Sequence, residues 1–266
     1  MRNPLLTHFG LTCPPFARST PKGALLRHRG FEEARKRLLF TVELESISVL
    51  LSGPGCGKSL LLGEIADELK REGVQVHYVA HTTLGPFGLV NVLARKAGLV
   101  PRRSRGETAL ALSEHFLEDE SRHLLVLDEA QKLPDDTLED LRLLTIADFD
   151  RKSPFVLLLA GQNSLDDRLA EPTHYALDQR ITTFARLLPL SVEETKEYVE
   201  TRLKAAGADR PVFEDGAVDL LFDAAGGVPR SINNLATAAL IVAAARNRRL
   251  VASQDVKDAQ MDRGRP

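Results

Sequence analysis

The chain has 266 residues, 43% hydrophobic and 27% charged, which is ample for a buried core of ordinary globular size. Its net charge of -2 and pI near 6.4 give no overall field that attracts nucleic acid, so any contact with a phosphate backbone falls to a local basic patch. Cys13 and Cys56 match neither a disulfide framework nor a zinc site, no apolar run reaches the roughly 20 residues of a membrane helix, and MRNPLLTHFGLTCPPF lacks the marks of a secretory signal. Free thiols, no membrane segment and a cytoplasmic address are therefore expected.

Residues 5–23 are proline-rich and aperiodic, which predicts an extended arm within an N-terminal segment 1–29. A helix is expected over 30–42, with Phe31, Ala34, Leu38 and Val42 on one side. Ile47 to Leu51 is a short apolar run entering a glycine loop, and Leu61, Leu62, Ile65, Ala66 and Leu69 then repeat at helical spacing, so the first unit is strand, loop, helix. A second strand is expected at Val74–Ala80, helices at 88–97 and 107–120 around the polar linker 101–106, a third strand at Leu124–Leu127, a helix at 134–147, a fourth strand at Phe155–Ala160 and a short fifth at Ala185–Leu190. This alternation predicts an α/β domain over 30–190 with a parallel five-stranded sheet between helices. Beyond Ser191 helical patterns take over at 191–206, 214–225 and 230–248, predicting a small all-helical lid domain over 191–253, with residues 254–266 as a disordered tail.

Ser52-Gly53-Pro54-Gly55-Cys56-Gly57-Lys58-Ser59 lies between the first strand and its helix, where a phosphate-cradling P-loop belongs, although Ser52 replaces the usual first glycine. The loop from Gly53, Pro54, Gly55, Cys56 and Gly57 into Lys58, Ser59 and Leu60 turns backbone N–H groups and a helix N-terminus towards phosphate. Lys58 is placed to meet the β- and γ-phosphates of ATP, and Ser59 to ligate Mg2+. Leu124 to Leu127 then delivers Asp128 and Glu129, of which Asp128 is expected to join Ser59 at the metal and Glu129 to polarise the attacking water. Asp135 and Asp136 suit a solvated acidic turn.

LLVLDEAQKL, LLLAGQNSL, QRITTFARLLPLSVEETKEYVETRLKAAG and GGVPRSINNLATAAL resemble the AAA+ ATPases of the ExeA type, as does the opening FGLTCPPF, over about residues 9–245. That group is similar to the transposition regulators of the MuB, TnsC and TniB kind. The resemblance implies a P-loop NTPase (AAA+) fold with Gln162 as sensor 1, Arg180 as an arginine finger acting on a neighbouring subunit, and Arg230 as sensor 2. Asn163 is the fallback for the first and Arg186 the competitor for the second. A loop-capping Gln162, a surface salt bridge for the finger and a carboxylate partner for Arg230 are the plain structural alternatives.

The resemblance offers two clients. A transposition regulator implies an ATP-dependent ring or helical filament on duplex DNA, held without sequence preference, that recruits or stimulates a transposase, directly or through an adaptor protein. Arg102, Arg103 and Arg105 are the expected phosphate contacts, with a solvated basic loop as the alternative, and Arg246, Arg248 and Arg249 are weaker candidates. The other readings are an ExeA-type secretion or cell-envelope ATPase and a nucleotide-dependent scaffold with slow turnover.

Overall fold

The architecture follows from where the apolar runs can be buried. A computed structural model describes residues 4–17, 23–80, 84–147 and 151–264, and the chain divides into two units.

The first unit comprises Arg29–Pro54 and Lys58–Leu187. Its strands are β1 (Ile47–Ser52), β2 (Gln75–Val79), β3 (His123–Leu127), β4 (Val156–Gly161) and β5 (Ile181–Leu187), joined in one sheet of order β2-β3-β4-β1-β5 with every pair parallel. β1, β3 and β4 are buried along their whole length, which is why they read as unbroken Leu/Val runs and not as alternating ones. The connecting helices are α2 (Arg29–Glu43), α3 (Lys58–Arg71), α4 (Pro86–Lys96), α5 (Arg105–Glu118), α6 (Asp135–Leu144), α7 (Asn163–Leu169) and α8 (Tyr175–Asp178). Leu51 pairs with Gly161 and Leu127 with Leu159, so β1, β3 and β4 release the chain at one edge of the sheet, where ligands of open α/β sheets bind.

β5 starts at Ile181 and ends at Leu187, earlier at both ends than the expected Ala185–Leu190. It is an edge strand with only Ala185 and Leu187 fully buried, so its polar start, Ile181-Thr182-Thr183, carried too little apolar pattern to be read as strand.

The second unit gathers the described residues of Met1–His28, Gly55–Gly57 and Leu188–Pro266. Besides α1 (Pro4–Phe9) it contains α9 (Val192–Ala205), α10 (Asp215–Ala225), α11 (Pro229–Ala245) and α12 (Ser253–Asp262). Phe9, Leu11, Phe16, Leu203, Leu221, Ile232, Leu240 and Val256 share its core. Leu190 N–H donates to Gly227 O at 2.9 Å, an approach that only glycine permits, since a Cβ at Gly227 would lie 2.1 Å from Leu190 O.

Two expectations are corrected here. The N-terminal segment is not a purely extended arm: it opens with α1, buries Phe9, Leu11 and Phe16, and is tied down by Thr12 N–H on Ala206 O at 2.8 Å and by Arg202 Nη2 on Ala17 O at 2.8 Å. The expected disordered tail is α12, with Asp255, Val256 and Ala259 buried. One turn of apolar spacing was too short to register as a helix, and it is Asp255, a charged residue, that anchors it. Residues 1–3 and 18–22 of the expected arm, and 265–266 of the expected tail, lie outside the described residues. Among the described residues no helix is long and apolar enough to cross a membrane.

Candidate nucleotide site

The loop after β1 carries its glycines where the backbone needs them. Gly55 and Gly57 have φ of 88° and 104°, left-handed values that cost other residues free energy, and α3 begins at Lys58 directly after them. Cys56 is buried, and burial pushes its thiol pKa up, so it is a packing residue and not a reactive thiolate. Both cysteines are free. Ser59 and Leu60 are exposed on the first turn of α3, and Ser52, buried at the end of β1, donates its hydroxyl to Gly53 O at 2.9 Å.

Lys58, Asp128 and Glu129 meet. Lys58 Nζ lies 2.8 Å from Asp128 Oδ1 and 2.8 Å from Glu129 Oε1, with Lys58 and Asp128 largely shielded from solvent. The hydrogen bond from Lys58 holds the Glu129 carboxyl below the usual range against the opposing effect of burial, and Gln131 adds to the lowering. Glu129 has φ 55° and ψ 36°, the left-handed region that a β-unbranched non-glycine residue occupies at some cost. Its N–H donates to Asp128 Oδ1 at 2.8 Å, which holds this turn in place.

Three further residues fix the pair, and the sequence did not single them out. Tyr78, at the carboxyl end of β2, donates its hydroxyl to Asp128 Oδ2 at 2.8 Å; partial burial and then this bond push its pKa up to about 12. Gln131 Nε2 donates to Glu129 Oε2 at 2.9 Å, while Gln131 Oε1 accepts from Gln162 N–H at 3.2 Å. Arg168 on α7 donates to the backbone oxygens of Gln131 and Leu133, both at 2.8 Å, and pairs with Asp135. Their only sequence signals were position: a polar aromatic at a strand end and a glutamine two residues after Glu129. Asp135, expected in a solvated turn, is exposed yet bound to Arg168 and to His174 at 3.1 Å.

Gln162 follows β4 at the N-cap of α7, but its side chain makes no capping bond; exposed Asn163 is the first residue of the helix. Arg180 is half-buried in the turn between α8 and β5, and Arg186 on β5 pairs with Asp166 at 2.7 Å. Because half of the Arg186 side chain is exposed, that pair is weak. Arg102 and Arg103 are exposed ahead of α5, whereas Arg105 reaches Asp140 at 3.1 Å.

In the second unit, Arg230 stands at the second position of α11, after Pro229, and its backbone N–H donates to Gly55 O at 3.2 Å. A Cβ on Gly55 would meet Arg230 Cβ at 2.9 Å and Val228 Cγ1 at 3.1 Å, so the loop glycine also makes room for the helix start. The exposed Arg230 side chain finds no carboxylate among the described residues. Arg246 and Arg248 are bound to Asp255 at 2.8 and 3.3 Å.

The sheet order, the glycine loop ahead of Lys58 and the paired carboxylates define a P-loop NTPase of AAA+ architecture with a C-terminal helical region. Residues 42–169 match the AAA domain family. Over 254 residues the chain is 32% identical to general secretion pathway protein A of Aeromonas hydrophila, covering 93% of this chain but 46% of that protein, so it spans just under half of the relative's length. The fold is similar to Cdc6p from Pyrobaculum aerophilum, with a TM-score of 0.72 and 20% identity over 93% of this chain and 70% of that one. It is also similar to the Aeropyrum pernix ORC1 protein solved in complex with DNA, with a TM-score of 0.63 and 19% identity over 93% of this chain and 66% of that one.

Proposed function

We propose that this chain binds and hydrolyses ATP with Mg2+. The observation that carries the reading is Lys58 Nζ at 2.8 Å from both Asp128 and Glu129, at the start of the helix that follows the glycine loop. Lys58 exchanges its carboxylate partners for the β- and γ-phosphates, with the backbone N–H groups of 53 and 55–60 around them. Magnesium, when bound, neutralises phosphate charge, and the Ser59 hydroxyl and Asp128 carboxylate are hard oxygen ligands that suit it. Glu129, kept ionised, polarises the attacking water, and Gln162 senses the γ-phosphate. Arg230, a cation set against the positive end of a helix with no carboxylate on it among the described residues, gains most from an anionic ligand. Arg180 acts on the site of a neighbouring subunit, so the working form is a ring or filament.

Glu129→Gln tests this directly. Turnover should fall about 100- to 10,000-fold while ATP binding by calorimetry persists. Wild-type protein that releases no phosphate from ATP in a Glu129-dependent way would sink the proposal. Mixing Arg180→Ala with Lys58→Ala subunits should restore part of the turnover; no rescue at any ratio rejects the shared site.

Two clients each have a specific observation behind them. Exposed Arg102 and Arg103 suit a nonspecific grip on duplex DNA, the reading in which the assembly would go on to recruit a transposase, directly or through an adaptor. The 32% identity to general secretion pathway protein A supports a role at the cell envelope. Duplex DNA should stimulate phosphate release under the first and leave it unchanged under the second. Removing the charges at 102, 103 and 105 should flatten the log-log salt slope of DNA binding by roughly 0.9 per lost phosphate contact. An unchanged slope rejects that patch.

A further inference from the structure

The turn after β3 is clamped to the start of α7 by one side chain with two distinct bonds. Gln131 is half-buried, its Nε2 on Glu129 Oε2 at 2.9 Å and its Oε1 on the Gln162 N–H at 3.2 Å. Its own backbone is held from α7 by Arg168 Nη1 at 2.8 Å. Gly161 leaves the space for this: a Cβ there would lie 2.8 Å from Gln131 Oε1. Glu129 needs such a holder, because it sits in the left-handed region and has a side chain long enough to turn away. Lys58 and Gln131 both donate to its carboxylate, at 2.8 and 2.9 Å, and Lys132 lies farther off at 3.7 Å; Lys58 is assigned to phosphate, whereas Gln131 is uncharged and bonds Gln162 as well.

We infer that Gln131 is a positioning residue: its amide holds the Glu129 carboxylate and ties it to the chain leaving β4, so that a shift of Gln162 moves the base. A carboxamide suits this work because one end donates to the carboxylate while the other accepts from the amide. The inference rests on the ATPase reading above.

Two variants separate the two halves of the bridge. Gln131→Glu keeps an acceptor for the Gln162 N–H and loses the donor to Glu129, whereas Gln131→Leu loses both at similar size. Both should lower kcat about tenfold or more while leaving the affinity for a non-hydrolysable ATP analogue within about twofold, and each loss should vanish in a Glu129→Gln background. In the protein without added nucleotide, hydrogen exchange at the Gln162 amide should quicken in Gln131→Leu and stay slow in Gln131→Glu. Melting curves check folding, and Gln131→Glu decides the matter if Gln131→Leu does not fold.

A kcat within about twofold of wild type in Gln131→Glu, an equal loss in both backgrounds, or an affinity loss as large as the turnover loss would each overturn the inference while Glu129-dependent turnover stands. A wild-type protein without that turnover overturns the ATPase reading and this inference with it.

Discussion

The two ends of α11 carry arginines in opposite circumstances. Arg230, on the first turn, faces the positive end of the helix dipole and finds no carboxylate among the described residues. Arg246, the C-cap, and Arg248 lie at the negative end and converge on Asp255, which is fully buried, with Arg246 also bound to Asp258 at 2.6 Å. The chain stops the helix there with left-handed Asn247, whose N–H bonds Ala244 O while Arg248 N–H bonds Ala243 O, and this geometry delivers both arginines to α12. A cation where the dipole favours it, already neutralised, is part of the scaffold. A cation where the dipole opposes it, with no carboxylate on it among the described residues, is what the proposed role of Arg230 rests on.

Removing the shared anion should have the largest effect on this contrast. Asp255→Ala leaves two arginines without their buried partner and frees the Ala252 N–H that Asp255 accepts at 3.0 Å, so unfolding free energy should drop by about 2–3 kcal/mol with little change in ATP affinity. An unchanged denaturant midpoint would show that α12 is not anchored by charge. Arg230→Ala should do the reverse. ATP affinity falls about tenfold, roughly 1.5 kcal/mol, while stability rises by a few tenths because an opposed charge has gone. If stability falls and affinity holds, the two ends are alike and the assignment of Arg230 fails.

Gly55→Ala sharpens the same point, since the new methyl group must occupy a φ of 88° and press on Arg230 Cβ. A loss of about 1 kcal/mol in stability is expected, accompanied by weaker nucleotide binding. Retained binding would mean that the helix start can move away freely. The smallest effect is that of acid. The Gln254 amide, and next Arg246, hold the Asp258 carboxyl below its usual value. Its contribution is therefore complete above the ordinary carboxylate pKa and lost as pH falls through the lowered one. Arg246→Ala should shrink that acid-dependent loss in a pH series of melts; an identical series would remove Asp258 from the anchor.

Much of the α/β unit was legible because its signals are local. β1, β3 and β4 are continuous apolar runs, and the glycine loop and the Asp128-Glu129 pair each mark the chain directly after a strand. The elements that escaped are those whose stability is borrowed from distant partners. α1 has one buried residue of its own, and α12 depends on arginines supplied by the end of another helix. β5 is an edge strand whose polar face hid its first residues.

The site divides in the same way. Lys58, Asp128 and Glu129 could be named from residue type and spacing, because a phosphate needs amides and an ammonium, and a metal needs an oxygen anion, wherever they occur. That Arg105 pairs with Asp140 while Arg230 meets no carboxylate among the described residues, and that Tyr78 and Gln131 hold the two acids, could not be read from spacing. A hydrogen bond is a relation between two positions in space, and a sequence records each position separately. The order of the chain set which side-chain groups follow each strand; the packing of the sheet and helices decided which of them meet.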